Sequence, residues 1–136
     1  MKKHALTALT VLALASPAFA AGDAAKGEKE FKKCKACHSI IADDGTAIVK
    51  GGKVGPNLYG VIGRPAASEE GFRYGKGIQE AAEKGLVWDE AKVAEYVKDP
   101  TKFLDEITGD KAKSKMTFKL RRGGEDVAAY LASVVK

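Results

Sequence analysis

The sequence predicts a small all-α domain in which helices near both ends enclose a loop-rich middle. Apolar residues recur at spacings of three and four over residues 23–33 and again over 124–135, which is the pattern of a helix. Glycine and proline are frequent between residues 39 and 65, and no alternating pattern there is long enough to indicate a strand. Loops of this length are unusual in a compact domain unless they wrap around another group.

The first twenty residues have the pattern of an export signal rather than of a folded element. Lys2 and Lys3 form a positively charged start, a mainly apolar stretch follows, and the Ala-Phe-Ala of residues 18–20 has the form of a cleavage site. The apolar stretch is shorter than the ~20 residues of a membrane-spanning helix, although an uncleaved anchor is the alternative. We therefore expect a cleaved signal peptide over residues 1–20, and one exported domain over residues 21–136.

Capping residues predict where the first two helices begin and end. Asp23 is a suitable N-cap for a helix that extends to about Lys33, with an inner face made of Ala24, Gly27 and Phe31. A second, short helix is expected from about Gly75 to Lys84, because Gly85 can adopt the conformation that ends a helix.

Two further helices are expected in the C-terminal half of the chain. Asp89 can cap a helix that ends before Pro100, and its inner face would consist of Val93, Tyr96 and Val97. A short turn is expected over residues 101–106. The last helix follows Gly123 and carries acidic residues in its first turn, with one apolar face formed by Val127, Tyr130, Leu131, Val134 and Val135.

The composition is that of an ordinary globular domain with an incomplete core. Hydrophobic residues make up 45% and charged residues 30%, which excludes a disordered chain and a membrane-embedded bundle. Aromatic residues make up only 7%, so another group would have to fill part of the interior. The two cysteines are too few for a disulfide framework or a four-thiolate zinc site.

The most specific motif is Cys34-Lys35-Ala36-Cys37-His38, the C-x-x-C-H signature of c-type haem attachment. Two cysteines three residues apart on a helical turn can add to the two vinyl groups of one porphyrin. The histidine that follows can then offer an imidazole nitrogen to the iron. The motif therefore predicts one covalently bound haem c.

Three other interpretations of the two cysteines remain open from the motif alone. A thioredoxin-like pair normally begins a helix in a strand-rich fold, whereas this pair follows a helix. A disulfide is compatible with an exported chain but leaves His38 without a role. A zinc site would lack a strong fourth ligand, because methionine binds zinc poorly.

Met116 is the candidate for the second axial ligand of the iron. Once residues 1–20 are removed, the chain holds one histidine and one methionine. A lone methionine is usually a core filler, but this one lies in a basic, polar stretch over residues 113–119. A thioether is a suitable haem ligand, so ligation would explain its position.

The order of motifs along the chain resembles that of the class I cytochromes c, and most closely the bacterial cytochrome c2 group. The resemblance covers essentially all of residues 21–136. It implies a single-domain cytochrome c fold whose long loops wrap one haem. The motifs that carry it are the C-x-x-C-H sequence, Gly55-Pro56-Asn57-Leu58-Tyr59-Gly60, Gly63-Arg64, Phe72-x-Tyr74, Trp88, Glu95-Tyr96-Val97-x-Asp99-Pro100, Lys115-Met116-x-Phe118 and Tyr130-Leu131.

The same resemblance implies a role for several side chains. Pro56 would accept a hydrogen bond from His38, which would fix the tautomer of that ligand. Three further positions match groups that hydrogen-bond a haem propionate: Arg64, Tyr74 and Trp88. Two match hydroxyl groups near the methionine ligand: Tyr96 and Ser114.

Two segments depart from mitochondrial cytochrome c. Residues 41–53 and 105–113 are longer than their mitochondrial counterparts, as in the longer cytochrome c2 proteins. The second insertion lies directly before Met116, so the path of the chain into this ligand is not predicted by the resemblance.

The function implied is that of a soluble, monomeric periplasmic electron carrier rather than an enzyme. Its donor would be a cytochrome bc complex, and its acceptor a photosynthetic reaction centre or a terminal oxidase. Basic residues near the haem edge would dock an acidic partner rather than nucleic acid: Lys33, Lys35, Lys115 and Lys119. The alternatives are a small haem enzyme such as a peroxidase, and a fixed haem subunit of a larger redox complex.

Overall fold

The computed structural model describes residues 22–109 and 111–135, and the predicted signal peptide lies outside the described residues. Over this part of the chain the order of elements is one helix, a two-stranded ribbon and four more helices. No helix among the described residues combines the length and the apolar character that crossing a membrane requires. The predicted all-α architecture is confirmed apart from the small ribbon.

The N-terminal helix α1, Ala24–Glu30, continues as a 3₁₀ turn over Phe31–Lys33. Its N-cap is Asp23, whose side chain accepts a hydrogen bond of 3.0 Å from the Lys26 amide. The tightening into a 3₁₀ turn directly before Cys34 places the C-x-x-C-H motif at the end of the helix.

The ribbon was not predicted. Strand β1, Ile40–Ile41, pairs antiparallel with strand β2, Ala47–Val49. Two or three residues are too few to show an alternating pattern, so the sequence contains no signal for this pairing. The ribbon accounts for part of the insertion over residues 41–53.

The three middle helices follow their capping residues. Helix α2 spans Lys76–Glu83 and helix α3 spans Glu90–Lys98. Helix α4 spans Pro100–Thr108, where the sequence predicted only a turn over residues 101–106. The difference arises because Pro100 ends α3 and also occupies the first position of α4, where its missing N–H costs nothing. Asp99 caps α4 by accepting a hydrogen bond of 3.2 Å from the Lys102 amide.

The C-terminal helix α5, Gly124–Ser133, crosses α1 at close range. A Cβ at Gly27 would collide with the Asp126 carbonyl and would stand 2.8 Å from the Tyr130 Cβ. Beside the crossing, the rings of Phe31 and Tyr130 lie 5.7 Å apart. Val135 was expected on the inner face of α5, but the helix ends before it and its side chain is exposed.

The core is one cluster of buried apolar side chains drawn from the helices and the long loops. Phe31, Val127 and Leu131 belong to it near the crossing of α1 and α5. In another part of the same cluster, Trp88 stacks on Phe103 at 5.8 Å and at an interplanar angle of 21°. Several members of the cluster, including Trp88 and Leu131, also line a cavity.

We predict that Gly27→Ala destabilises the protein. Alanine in place of glycine normally stabilises a helix by about 0.5–1 kcal/mol. Here the added methyl group meets the α5 backbone, so a net loss of about 1–3 kcal/mol is expected. The free energy of unfolding from denaturant titration measures it. Lys26→Ala on the exposed face of α1 is the control, and equal stabilities for the two variants would contradict a close crossing.

Candidate functional site

A cavity of about 590 Å³ lies at the centre of the described structure. Its size is within the range of binding sites for drug-sized ligands and cofactors. Apolar side chains from α2, α3, α5 and the long loops make up much of its lining, including Leu58, Val61, Ile78, Val93, Val97 and Leu131. The low aromatic content therefore agrees with the structure, in which the side chains leave a cavity large enough for another group.

Both cysteines line this cavity, and neither forms a disulfide. Burial, reinforced by the charge of Glu30, raises the pKa of the Cys34 thiol to about 11. A redox-active cysteine of the thioredoxin type needs a lowered pKa, because the thiolate is the nucleophile. The environment of Cys34 thus argues against a thioredoxin-like redox pair. It suits a protonated thiol that lies next to an apolar group.

His38 lines the same cavity and has a fixed orientation. Its Nδ1 lies 2.8 Å from the Pro56 carbonyl oxygen. A carbonyl only accepts, so Nδ1 carries the proton and the Nε2 lone pair remains available for a metal. Burial lowers the pKa of His38, while the Pro56 hydrogen bond and the charge of Glu69 act in the opposite direction. A side chain at Gly55 would collide with the imidazole ring, so glycine is required there.

Met116 is brought to the cavity by a short network of hydroxyl groups. Its backbone N–H donates to Ser114 Oγ over 3.1 Å, and the Tyr96 hydroxyl shares a hydrogen bond of 3.0 Å with the same oxygen. The Ser114 N–H in turn donates to Thr101 Oγ1 over 3.2 Å. Thr101 lies on α4, and nothing in the sequence marked it as part of the site.

The insertion that precedes Met116 is also anchored to α4. The Ala112 N–H donates to Asp105 Oδ1 over 2.6 Å. Helix α4 therefore contacts the Met116 segment at two points, Thr101 and Asp105. This explains why the additional residues over 105–113 do not displace the segment from the cavity.

The three side chains expected to meet a propionate all line the cavity. Arg64 donates to the carbonyl oxygens of Asn57 and Tyr59 over 3.2 and 3.3 Å. The Tyr74 hydroxyl accepts from the Glu69 amide over 3.0 Å, which leaves its own proton free to donate. Trp88 is only 6% exposed, and its indole N–H makes no hydrogen bond within the described residues. Two donors are thus available to an acidic group in the cavity.

Basic side chains surround part of the cavity opening. Lys33, Lys113 and Lys115 belong to its lining, and Lys35 is exposed between the two cysteines. Lys33 pairs with Glu30 over 2.7 Å, and Lys119 pairs with Asp99 over 2.9 Å. The four predicted docking lysines therefore do not share one environment, since two of them already have a carboxylate partner.

The side chains that line the cavity fit a haem group. The described residues contain no group of three or more histidine, cysteine or acidic side chains that could hold a bare metal ion. Two free thiols, an imidazole with an available Nε2 and a thioether line one apolar cavity, together with unpaired donors suited to carboxylates. The fold and the site define a c-type haem protein.

Comparisons with known proteins agree with this class. No family model matches the chain. Cytochrome c2 of Rhodobacter capsulatus is 64% identical over 98% of this chain and 99% of its own length. Cytochrome c-550 of Paracoccus denitrificans is 60% identical over 97% of this chain and 88% of its own. The structure of the R. capsulatus protein superposes with a TM-score of 0.83 at 64% identity, covering 85% of this chain and 100% of that one.

The chain belongs to the class I cytochromes c, within the bacterial cytochrome c2 group. It is accordingly an electron-carrier haem protein with one haem c, attached covalently at Cys34 and Cys37. The fold and the cofactor predicted from the sequence are confirmed, and the thioredoxin, disulfide and zinc interpretations are not.

We predict that Thr101→Val loosens the Met116 segment. Valine has a similar shape but offers no acceptor, so the Ser114 N–H loses its partner at a cost of about 1–3 kcal/mol. Because 1.4 kcal/mol corresponds to a factor of ten, amide hydrogen exchange at Ser114 should accelerate roughly tenfold. Thr101→Ser keeps the hydroxyl and is the control. Equal exchange rates in the two variants would remove Thr101 from the anchor.

Proposed function

We propose that this protein is a soluble periplasmic electron carrier in which His38 and Met116 are the axial ligands of the haem iron. The observation that carries the proposal is that the imidazole, with Nε2 available, and the thioether line the same cavity as both attachment cysteines. No other histidine or methionine occurs in residues 21–136.

The cofactor supplies a one-electron ferrous–ferric couple, and the side chains around it set the conditions for that couple. The Pro56 carbonyl orients His38 and makes its Nε2 more basic. The hydroxyl network holds the Met116 segment at the cavity, and a thioether favours the ferrous state. Much of the lining is apolar, which would limit the access of water to the haem.

A carrier explains the lining better than a haem enzyme does. A peroxidase would need a vacant sixth position and an acid–base group beside it. Among the described residues the lining contains no second histidine and no aspartate or glutamate, and it does contain Met116, a candidate for the sixth position. The lining therefore supports transfer of electrons without chemistry on a bound substrate.

The N-terminal pattern bears on where the protein works. We propose that residues 1–20 are removed during export, because they combine a basic start, an apolar stretch and a small-residue cleavage site. A soluble carrier then begins at Ala21, whereas a retained N-terminal segment would favour a fixed subunit of a larger complex. The mass of the exported protein distinguishes the two.

We predict that Met116→Ala lowers the midpoint potential and opens the iron to added ligands. Loss of the thioether should favour the ferric form by at least about tenfold, which is about 59 mV for a one-electron couple. The ferric absorption band that reports iron–sulfur coordination should disappear, and cyanide should bind readily.

Thr117→Ala is the matched control for Met116→Ala, because Thr117 also lines the cavity and its side chain is not a haem ligand of this class. It should retain the band and the potential. An unchanged potential and unchanged cyanide binding in Met116→Ala would show that Met116 does not bind the iron.

The partners follow from the charge around the cavity opening. We propose a cytochrome bc complex as donor and a photosynthetic reaction centre or terminal oxidase as acceptor, each docking through an acidic surface. Lys35 and Lys115 are the strongest candidates for steering, since both are exposed and neither has a carboxylate partner within the described residues. Long-range attraction accelerates encounter without a large buried interface, so a monomeric carrier can also leave quickly.

We predict that Lys35→Glu slows reaction with an acidic partner about tenfold at low salt and flattens the salt dependence. Screening becomes strong near 0.1 M salt, where the Debye length is about 10 Å. Stopped-flow or flash-induced oxidation over a salt series measures the effect.

Lys84→Glu makes the same change of charge at the end of α2, outside the cavity lining, and is the control for Lys35→Glu. It should alter the rate much less. Similar effects of the two variants would contradict docking at the cavity opening.

A further inference from the structure

One peptide group links His38, the candidate iron ligand, to the carboxylate of Glu69. The Pro56 carbonyl accepts a hydrogen bond of 2.8 Å from His38 Nδ1. At the other end of the same peptide plane, the Asn57 N–H donates to Glu69 Oε2 over 2.9 Å. A peptide is a conjugated, planar unit, so hydrogen bonds at its two ends polarise one another.

The groups at both ends of this link are held in place. The Asn57 side chain bonds both backbone groups of Ile41, with two distances of 2.9 Å. Glu69 is half-buried, and its own amide donates to the Tyr74 hydroxyl over 3.0 Å. Arg64 donates to the Asn57 carbonyl over 3.2 Å. The peptide plane therefore has little freedom to rotate away from either partner.

We propose that Glu69 is a positioning residue of the haem site, acting on His38 through the Pro56–Asn57 peptide to stabilise the ferric state. This inference rests on the proposed ligation of the iron by His38. A carboxylate that accepts from the N–H end increases the negative charge on the carbonyl oxygen. That oxygen then becomes a stronger acceptor for the Nδ1 proton, and Nε2 becomes more basic.

No proton is transferred in this arrangement. The Nδ1 proton would stay on His38 in both oxidation states, because the Pro56 carbonyl oxygen can only accept a hydrogen bond. The hydrogen bonds change the relative stability of the two states because a more basic imidazole favours the more highly charged ferric iron.

The adjacent residue, Glu70, offers a matched control. It carries the same charge and lines the same shallow surface pocket as Glu69. Its side chain is exposed and forms no hydrogen bond or ion pair within the described part of the chain. Glu69→Gln and Glu70→Gln therefore remove the same charge, but only the first removes it from a group bonded to the peptide.

The experiment is a spectroelectrochemical titration of the holoproteins at low salt and at 1 M salt. Glu69→Gln should raise the midpoint potential, so that the ferric-to-ferrous ratio at a fixed applied potential falls roughly tenfold. This is the lower end of the effects seen when a hydrogen-bond partner of a metal ligand is removed. The change should persist at 1 M salt, where the Debye length is about 3 Å. Glu70→Gln should produce a smaller change that disappears at 1 M salt. Equal changes, or equal loss of both in salt, would overturn the proposal.

A spectroscopic readout separates this role from simple support of the loop. Glutamine still offers a carbonyl acceptor to the Asn57 N–H, so a structural role alone would leave the His38 Nδ1 proton resonance unchanged. The proposal requires that resonance to move toward the position of a weaker hydrogen bond. If Glu69→Gln does not yield a folded holoprotein, Glu69→Asp, whose carboxylate reaches less far, should raise the potential in the same direction by less. No rise there would equally overturn the proposal.

The wild-type protein separates failure of this inference from failure of the proposed ligation. If His38 binds the iron, its ring protons show large paramagnetic shifts in the ferric state. Absence of those shifts in the wild type would reject the ligation itself. Their presence with no effect of the Glu69 variants would reject only the role of Glu69.

Discussion

The rest of the structure depends on a space that the side chains of this protein leave open at its centre. The cavity of about 590 Å³ is lined both by side chains of α5, such as Leu131, and by Trp88. A chain this short, with few aromatic residues, buries too little surface to close such a space by itself. Covalent attachment at Cys34 and Cys37 supplies the missing apolar mass, so the same bonds that bring the redox centre also complete the core.

The two sides of the cavity hold their candidate ligands by different means. His38 is fixed by one backbone carbonyl, and the glycine beside it leaves room for the ring. Met116 is held indirectly, through hydroxyl groups on α3 and α4 and the loop between α4 and α5. The hydrogen bond that orients His38 is made by the imidazole ring itself, whereas the one at Met116 is made by its backbone N–H. The thioether is therefore less directly fixed, and we expect changes in coordination to begin on the Met116 side.

Much of the fold could be predicted from the sequence because its signals are local. Caps such as Asp23 and Asp89 and the C-x-x-C-H motif act within a few residues, and each lies where its pattern indicated. The ribbon was too short to show a pattern, and Pro100 serves two helices at once. Glu69 was not found because its contact with Asn57 joins residues 12 positions apart, a pairing that only the folded loops create.

The crossing of α1 and α5 also bears on the order in which the contacts of this fold form. The Asp23 N–H donates a hydrogen bond to the Asp126 side chain, 103 positions further along the chain. Gly27 lies directly against the Asp126 backbone carbonyl. Contacts between such distant residues form late, because the loop between them must first be closed. The attachment cysteines follow α1 directly in the sequence, so they lie next to the element whose packing against α5 depends on this late contact. An unfolded exported chain would therefore present both thiols before the terminal helices have joined.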